Sequence, residues 1–262
     1  MFEEILIFGT MQGALLALLA LGFSLVYGVG GLLNLAHGAF FLVTAYMIYW
    51  TLPFLQIITG LSLVTDYTVL FWMSAIIALV VIVSIAAITY LGLMKPLQKS
   101  HIGVVLVTFA MAFFFEQFVK FVGDSKTHYI VPFVPDTVTL LGITFPAQLL
   151  ALIFGSIILV TTVTLFINKS TIGKSIRAVS QDMDAAKLVG INTDMVMMTS
   201  IMISALLVGF AAILYAPGNF IAPRIGWGYL LLAFSVTIFG GMGSIPGSIL
   251  GAFIMGYATT LT

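Results

Sequence analysis

The chain has 262 residues, of which 61% are hydrophobic and only 7% charged, against roughly 25% charged in soluble domains. A soluble domain of this size must still present a large wetted surface, so the composition excludes one and implies an integral membrane protein. Nine basic and nine acidic residues cancel, leaving no polybasic surface for nucleic acid, and the absence of cysteine removes disulfides, thiolate catalysis and Cys-ligated metals.

Glu3 and Glu4 occupy the place of a basic n-region, so the first apolar run reads as a permanent span and not as a cleavable signal. A helix needs about 20 apolar residues to cross about 30 Å of hydrocarbon. From Ile5 to Thr65 there is no Asp, Glu, Lys or Arg, which leaves room for two crossings. They are expected near Ile5–Tyr27 and Asn34–Ile58, joined by Gly28, Gly30 and Gly31. Further spans are expected at Val69–Leu93, Ile102–Val122, Ala147–Ile167 and Met195–Ala216. The uncharged stretch Gly226–Thr262 is split by Gly240-Gly241-Met242-Gly243-Ser244-Ile245-Pro246-Gly247 and reads as two shorter helices meeting at a break. The fold class is all-α: a polytopic transmembrane helical bundle with broken or re-entrant helices, read as a single transmembrane domain over 1–262.

Lys95 and Lys99 fall in one loop; Lys169, Lys174, Arg177 and Lys187 fall in another, two spans later. Two spans apart is the same side, and the basic excess marks it as cytoplasmic. The N-terminus is then expected outside, with Asp66, the Gly123–Pro146 loop and Arg224. Within that loop, Thr127–Val134 and Thr137–Thr144 are short β-rich runs around Pro132 and Pro135, consistent with a small lid or hairpin. It would serve as a docking surface for a soluble partner or as an ordered connector with none.

The cytoplasmic stretch Asn168–Asp194 is polar but patterned. Ile176, Val179, Met183 and Ala186 recur at spacings of three, four and three, an apolar stripe on one helical face. Asp182 is a candidate N-cap, Gly190 a C′ residue, and Thr193 or Asp194 the cap of the next span. Such a short amphipathic helix either transmits force from a cytoplasmic partner or rests on lipid headgroups as an interfacial connector.

Three segments carry a family resemblance. Arg177-Ala178, Asp182, Ala185 and Gly190-Ile191-Asn192-Thr193-Asp194 resemble the coupling loop of bacterial branched-chain amino acid ABC importer permeases. Gly28 through Gly38, with Leu33-Asn34-Leu35-Ala36-His37-Gly38, resembles the N-terminal signature of that family, and Gly240–Gly247 the C-terminal one. The resemblance runs from about Gly13 to Tyr257. It implies that Lys174, Arg177, Ala178, Asp182, Ala185 and Gly190 couple to an ABC ATPase subunit. It also implies that Ser24, Gly28, Asn34, His37, Gly38, Gly240, Gly241, Gly243, Ser244, Pro246 and Gly247 line or hinge a translocation path. The partners it implies are ATPase subunits, a second homologous permease subunit, a periplasmic or extracellular substrate-binding protein and the lipid bilayer of the bacterial inner (plasma) membrane. ATP would be used by the partner, with no cofactor and no metal on this chain. Gln181 stands where the family often has Glu, and family members usually continue into another hydrophobic helix, which is expected beyond Thr262.

A helix break in hydrocarbon leaves backbone groups that lipid cannot satisfy, so breaks persist where protein or a watery cavity shelters them. Both glycine-rich segments are expected to face the pathway. They also match each other: Phe23-Ser24-Leu25, Gly28 and Gly38-Ala39-Phe40 against Phe234-Ser235-Val236, Gly240 and Gly251-Ala252-Phe253. This is either a degenerate repeat or a chance match of apolar sequence. Gly243, Gly247 and Gly251, and Gly9 with Gly13, give GxxxG spacings suited to tight internal packing or to subunit dimerisation. His37 is expected to hold the bend by bonding a backbone carbonyl freed by the break, the alternative being contact with substrate or titration. Glu116 and Lys120, at i and i+4, are expected to pair as an anchor near the outer surface.

No GxxxxGK[ST] motif occurs, so the chain cannot cradle ATP phosphates and must borrow energy. Mid-span carboxylate or arginine relays of the kind used by proton-driven carriers are absent, no histidine pair has a metal-ligand spacing, and no nucleophile–base–orienter set exists. The chain is therefore not expected to be an enzyme. The leading expectation is an ABC importer permease for branched-chain or related small amino acids, with Ser24, Asn34, Ser244 and backbone at the breaks meeting the zwitterion. A stand-alone ion-coupled secondary transporter or channel is the alternative, and a purely structural membrane subunit a third.

Overall fold

The computed structural model describes residues 2–62, 66–123, 125–140 and 142–261. Asp124 of the loop expected outside, Leu141 of its second β-rich run and Thr262 of the last stretch lie outside the described residues. Six helices are long and apolar enough to span a bilayer: α1 (Phe2–Gly30), α2 (His37–Thr59), α3 (Tyr67–Thr89), α5 (His101–Gly123), α6 (Gln148–Lys169) and α9 (Thr193–Tyr215). After α3 a π-helical turn, Tyr90–Met94, and the short α4 (Lys95–Leu97) carry the same rod onward. The last stretch forms two helices of 16 residues, α10 (Ile225–Gly240) and α11 (Ile245–Thr260), which meet at 120°. The chain is a multi-pass, all-α membrane bundle.

The first span overruns its sequence boundary. The helix continues through Gly28 to Gly30, and the chain leaves it at Gly31, where φ is +62°. The interruption is therefore residues 31–36, and α2 starts at His37, three residues later than expected. Between Gly13 and Val26 helix α1 is buried on every face, as a segment apolar all round is: Leu15 to Leu21 are all within 2% of fully covered. It forms the axis against which α6, α9, α10 and α11 pack. Helices α5 and α6 sit at the periphery and turn Phe113, Phe114, Phe154 and Ile158 outward, as lipid-facing surfaces do.

The GxxxG glycines work inside the chain. A side chain on Gly13 would meet the Phe253 ring and backbone, one on Gly256 would strike the backbone of Gly13, and one on Gly247 would strike the carbonyl of Gly240. Helix α1 and the hairpin are thus in backbone contact, as van der Waals packing between membrane helices requires.

At the basic end of the bundle, Lys95 bridges to Asp194 at 2.9 Å, joining α4 to the start of α9. At the opposite end β2 (Thr137–Leu140) and β3 (Ile143–Pro146) form an antiparallel hairpin, with Thr137 opposite Pro146. The hairpin lies wholly within the second β-rich run and its continuation. The first run does not pair with the second. Its strand β1 (His128–Tyr129) pairs with β4 (Phe220–Ile221), His128 opposite Ile221, which ties the loop to the chain leaving α9.

Candidate functional site

Residues 31–36 place non-helical backbone beside membrane helices, and protein side chains bond two of its N–H groups. The Asn34 amide oxygen accepts from the Ala36 N–H at 3.1 Å, and the Thr108 hydroxyl of α5 accepts from the Leu35 N–H at 3.1 Å. His37 Nε2 donates to the Leu19 carbonyl at 2.9 Å, because a carbonyl can only accept, and Nδ1 lies 3.2 Å from the Ser204 hydroxyl of α9. The imidazole therefore bonds a carbonyl of the continuous helix α1 and not one freed by the break. Gly38 approaches Gly226 of α10 so closely that a side chain on either would strike the other's backbone. Asn34 and His37 are 2% and 1% exposed. These residues fix the packing of α2 on α1, α5, α9 and α10, and none of them lines the large cavity described next.

The second interruption is a turn, residues 241–244, with φ of +89° at Gly241 and +87° at Gly243. Ser244 caps α11 by accepting from the Gly247 N–H at 3.2 Å, with Pro246 in the first turn, where its missing N–H costs nothing. The turn docks on α1. The Gly243 N–H donates to the Ser24 hydroxyl at 3.1 Å, and a side chain on Gly28 would lie 3.1 Å from the Gly243 Cα. The two glycine-rich segments thus meet at the basic end of the bundle. Their proposed repeat does not survive in helix phase: Gly38 is the second residue of α2, whereas Gly251 is the seventh of α11.

The junction forms one wall of a cavity of about 500 Å³, lined by Ser24, Gly28, Gly243, Ser244 and Pro246 on one side and by Thr164 and Asn168 of α6 on the other. Its floor is helix α7 (Thr171–Gln181), through Ile176, Arg177, Ser180 and Gln181. The polar stretch over 168–194 forms two helices, α7 and α8 (Met183–Leu188), where one was expected. Asp182 separates them: its carboxylate accepts from the N–H groups of Asp184 and Ala185, both at 2.9 Å, and so caps α8. Ser170 caps α7 through the Gly173 N–H. Gly190, φ +87°, ends α8 with Gly190 N–H to Lys187 carbonyl and Ile191 N–H to Ala186 carbonyl, the paired bonds of a Schellman motif. The cap of α9 is Asn192, bonded to the Met195 N–H at 3.0 Å. Thr193 and Asp194, expected in that role, are instead the first helical residues.

The apolar stripe of these helices is buried against the bundle, with Ile176 at 3%, Val179 at 2% and Ala186 at 4% exposure. The helices pack on α1, α6 and α9, so the stripe meets protein and not lipid headgroups. Arg177 also faces inward, its guanidinium donating to the Ile167 carbonyl at the end of α6, and Ala178 is half-buried. Lys174, Asp182, Ala185 and Gly190 lie on the exposed side. With them stand Leu188 and Val189, exposed by 89% and 77%, two apolar side chains that the stripe did not single out.

At the opposite end Glu116 pairs with Lys120, as the spacing requires. The carboxylate also accepts from Trp227 Nε1 at 2.6 Å and lies 3.7 Å from Arg224 Nε. A pair that looked like a local anchor on α5 is a clamp between α5 and α10. Among the described residues no cluster of His, Cys, Asp or Glu is placed to hold a metal.

The bundle thus carries a cavity at its basic end, floored by the capped and packed helix α7. The family described as branched-chain amino acid transport system, permease component, matches residues 5–262. The chain belongs to that family. It is 30% identical to the high-affinity branched-chain amino acid transport system permease protein LivH of Escherichia coli K12, over 97% of this chain and 83% of that protein. It is 28% identical to the corresponding permease protein BraD of Pseudomonas aeruginosa, with the same coverage of each chain. A probable branched-chain amino acid transport permease of Methanocaldococcus jannaschii is 29% identical over 94% of this chain and 76% of its own length. No solved structure matches.

Proposed function

We propose that this chain is the permease subunit of an ABC importer for branched-chain or related small amino acids, seated in a bacterial inner membrane with its basic end in the cytoplasm. Its partners in this reading are ABC ATPase subunits, a second homologous permease and an external substrate-binding protein. The lipid bilayer surrounds it, nucleic acid has no part, and ATP is bound and hydrolysed by the ATPase and not by this chain.

The observation that carries the reading is that the α7–α8 pair has two different sides, one toward a cavity and one toward the exterior. The inner face of α7 is the floor of the Ser24–Gly243–Ser244 cavity, and the outer side of the α7–α8 pair presents Lys174, Asp182, Ala185, Leu188, Val189 and Gly190 to the exterior. A partner that grips the outer side and moves by a few ångströms moves the floor. Arg177 and Ala178 then act by holding α7 to α6, and Ser24, Gly28, Gly243, Ser244 and Pro246 line the cavity that opens. Asn34, His37, Gly38, Gly240, Gly241 and Gly247 hold or hinge the two interrupted segments behind it.

The test is assembly and uptake. Leu188→Glu with Val189→Glu should abolish co-purification with the ATPase and ATP-driven leucine uptake, while leaving the purified permease folded. Retained assembly, or uptake driven by an ion gradient with no ATPase, would overturn the reading in favour of a stand-alone carrier.

A further inference from the structure

Helices α6 and α11 both pack against α1, and a second cavity of about 340 Å³ lies between them. Its walls are Ala14 and Ala17 of α1, Val160 of α6, and Ile249 and Phe253 of α11. Thr164 and Ile249 line this cavity and the one above α7, so the two are successive parts of one groove along α1.

The hydroxyls in this groove are unusual. Serine and threonine in these membrane helices generally bond back to the carbonyl four residues earlier: Thr44 to Phe40, Thr89 to Ile85, Thr108 to Val104, Ser200 to Val196 and Thr237 to Ala233, all at 2.7–2.8 Å. Ser156 and Thr164 make no such bond. Their hydroxyl oxygens are covered and have no partner, and Ser156 is 0% exposed. Ser74 and Ser248 are also unpartnered, but neither lines either cavity. Asn168 follows Thr164 by one helical turn, beside Ser24 and Ser244. The three polar side chains at 156, 164 and 168 stand about 12 Å and 6 Å apart along the axis. An unbonded hydroxyl in a low-dielectric setting costs free energy until something bonds it.

We infer that the groove between α6 and α11 is the solute route through this subunit, and that Ser156, Thr164 and Asn168 are successive contacts for the polar end of a small zwitterionic amino acid. The inference rests on the permease reading and names the wall that reading leaves open. Hydroxyl and carboxamide groups donate and accept, so each serves an ammonium or a carboxylate equally. The apolar walls suit an aliphatic side chain, and the combined space is within the range of about 300–1,000 Å³ typical of small-molecule sites. No charged residue lines the groove until Arg177 at its floor, so no step holds the solute too tightly to release it.

The chain has no cysteine, so it adds no thiol background of its own, and labelling is read on this subunit after it is separated from its partners. In vesicles carrying the complete complex with its ATPase and binding protein, Val160→Cys and Thr164→Cys, at partly exposed positions lining the groove, should react with a charged methanethiosulfonate about tenfold or more faster than Ile158→Cys, because a thiol facing lipid stays protonated and inert. Ile158 is the control, being 63% exposed on the outer face of α6. Leucine with ATP should slow the first two reactions and not the third. Equal reactivity at all three positions means that lipid fills the groove, and that result overturns the inference. Reactivity without leucine protection, in vesicles that accumulate leucine, overturns it as well. Failure of the unsubstituted complex to take up leucine would strike the permease reading instead, and the reactivity comparison would still decide whether the groove holds water. Ser156→Ala should lower uptake about fivefold, the scale of one lost hydrogen bond, with assembly unchanged and an unfolding midpoint no lower than the parent's, since the hydroxyl it removes has no partner. Undiminished uptake in that variant counts against the inference.

Discussion

The Gly243 backbone N–H donates to the Ser24 hydroxyl at 3.1 Å, so the turn of the α10–α11 hairpin is bonded to the last turns of α1. Both residues border the cavity above α7. The bond therefore couples the position of the hairpin to the helix on which α6 and α9 also pack. Gly28, one turn below Ser24, allows the contact by having no side chain.

Ser24→Ala removes the bond and leaves the Gly243 N–H without its partner, a loss of about 1 kcal/mol. Gly28→Val inserts a branched side chain where Gly243 Cα lies 3.1 Å from a Cβ, and overpacking of this kind costs about 1–3 kcal/mol. Thermal unfolding in detergent should show Gly28→Val well below Ser24→Ala and both below the parent. Ser24→Ala should retain partial uptake, and Gly28→Val little.

Asp182 stands between two helices and caps the second of them. Asp182→Ala should cost about 1 kcal/mol of local stability, felt in α8 and not in the spans. Hydrogen exchange should rise over 183–190 while the ATPase still assembles, and, if α8 takes the stroke as proposed, uptake per ATP hydrolysed should fall. Ser170→Ala, at the head of α7, should soften the cavity floor in the same way. An unchanged exchange pattern in both variants would remove the caps from the mechanism.

What the sequence made legible follows the strength of each local signal. Six spans and a split seventh were readable because charge is excluded from long windows, and the caps Asp182 and Gly190 because their chemistry is local. The end of α1 was misplaced because glycine lowers helix propensity without ending a helix, and Gly28 and Gly30 are held helical by packing on Gly243 and Met197. Trp227 as a partner of Glu116 was beyond a sequence reading, since they are brought together only by the folding of α10 against α5. Ser156, Thr164 and Asn168 left a faint trace as polar positions in an apolar span. Nothing local says which of them find a backbone carbonyl.

The buried carboxylate at the opposite end makes a sharper energetic prediction. Glu116 is 5% exposed and holds Lys120, Trp227 and Arg224 together. Glu116→Leu strands Lys120 and the indole N–H, and breaking a buried pair from one side costs about 3 kcal/mol. Glu116→Gln still accepts from Trp227 and should lose less than half as much. Unfolding midpoints in the order parent, Gln, Leu, with α10 becoming protease-sensitive before α1, would mark the cluster as the outer clamp of the hairpin. Equal midpoints for Gln and Leu would mean that the charge matters and the indole bond does not.

His37 separates a structural histidine from a solute-binding one. Its ring is 1% exposed, with Nε2 on the Leu19 carbonyl, Nδ1 beside Ser204 and the Phe23 ring edge-on at 5.4 Å. His37→Ala therefore removes two buried hydrogen bonds and leaves a void between α1, α2 and α9, a loss of about 2–4 kcal/mol. His37→Gln, which can still reach one partner, should recover part of it. If the ring only packs, whatever uptake remains in either variant should keep the parent's preference among leucine, isoleucine and valine, because the groove walls at Ala14, Ala17, Ile249 and Phe253 are untouched. A changed preference at unchanged stability would place His37 on the solute route after all. The measurement is competitive uptake by the reconstituted complex, read beside the unfolding midpoint of the same preparation.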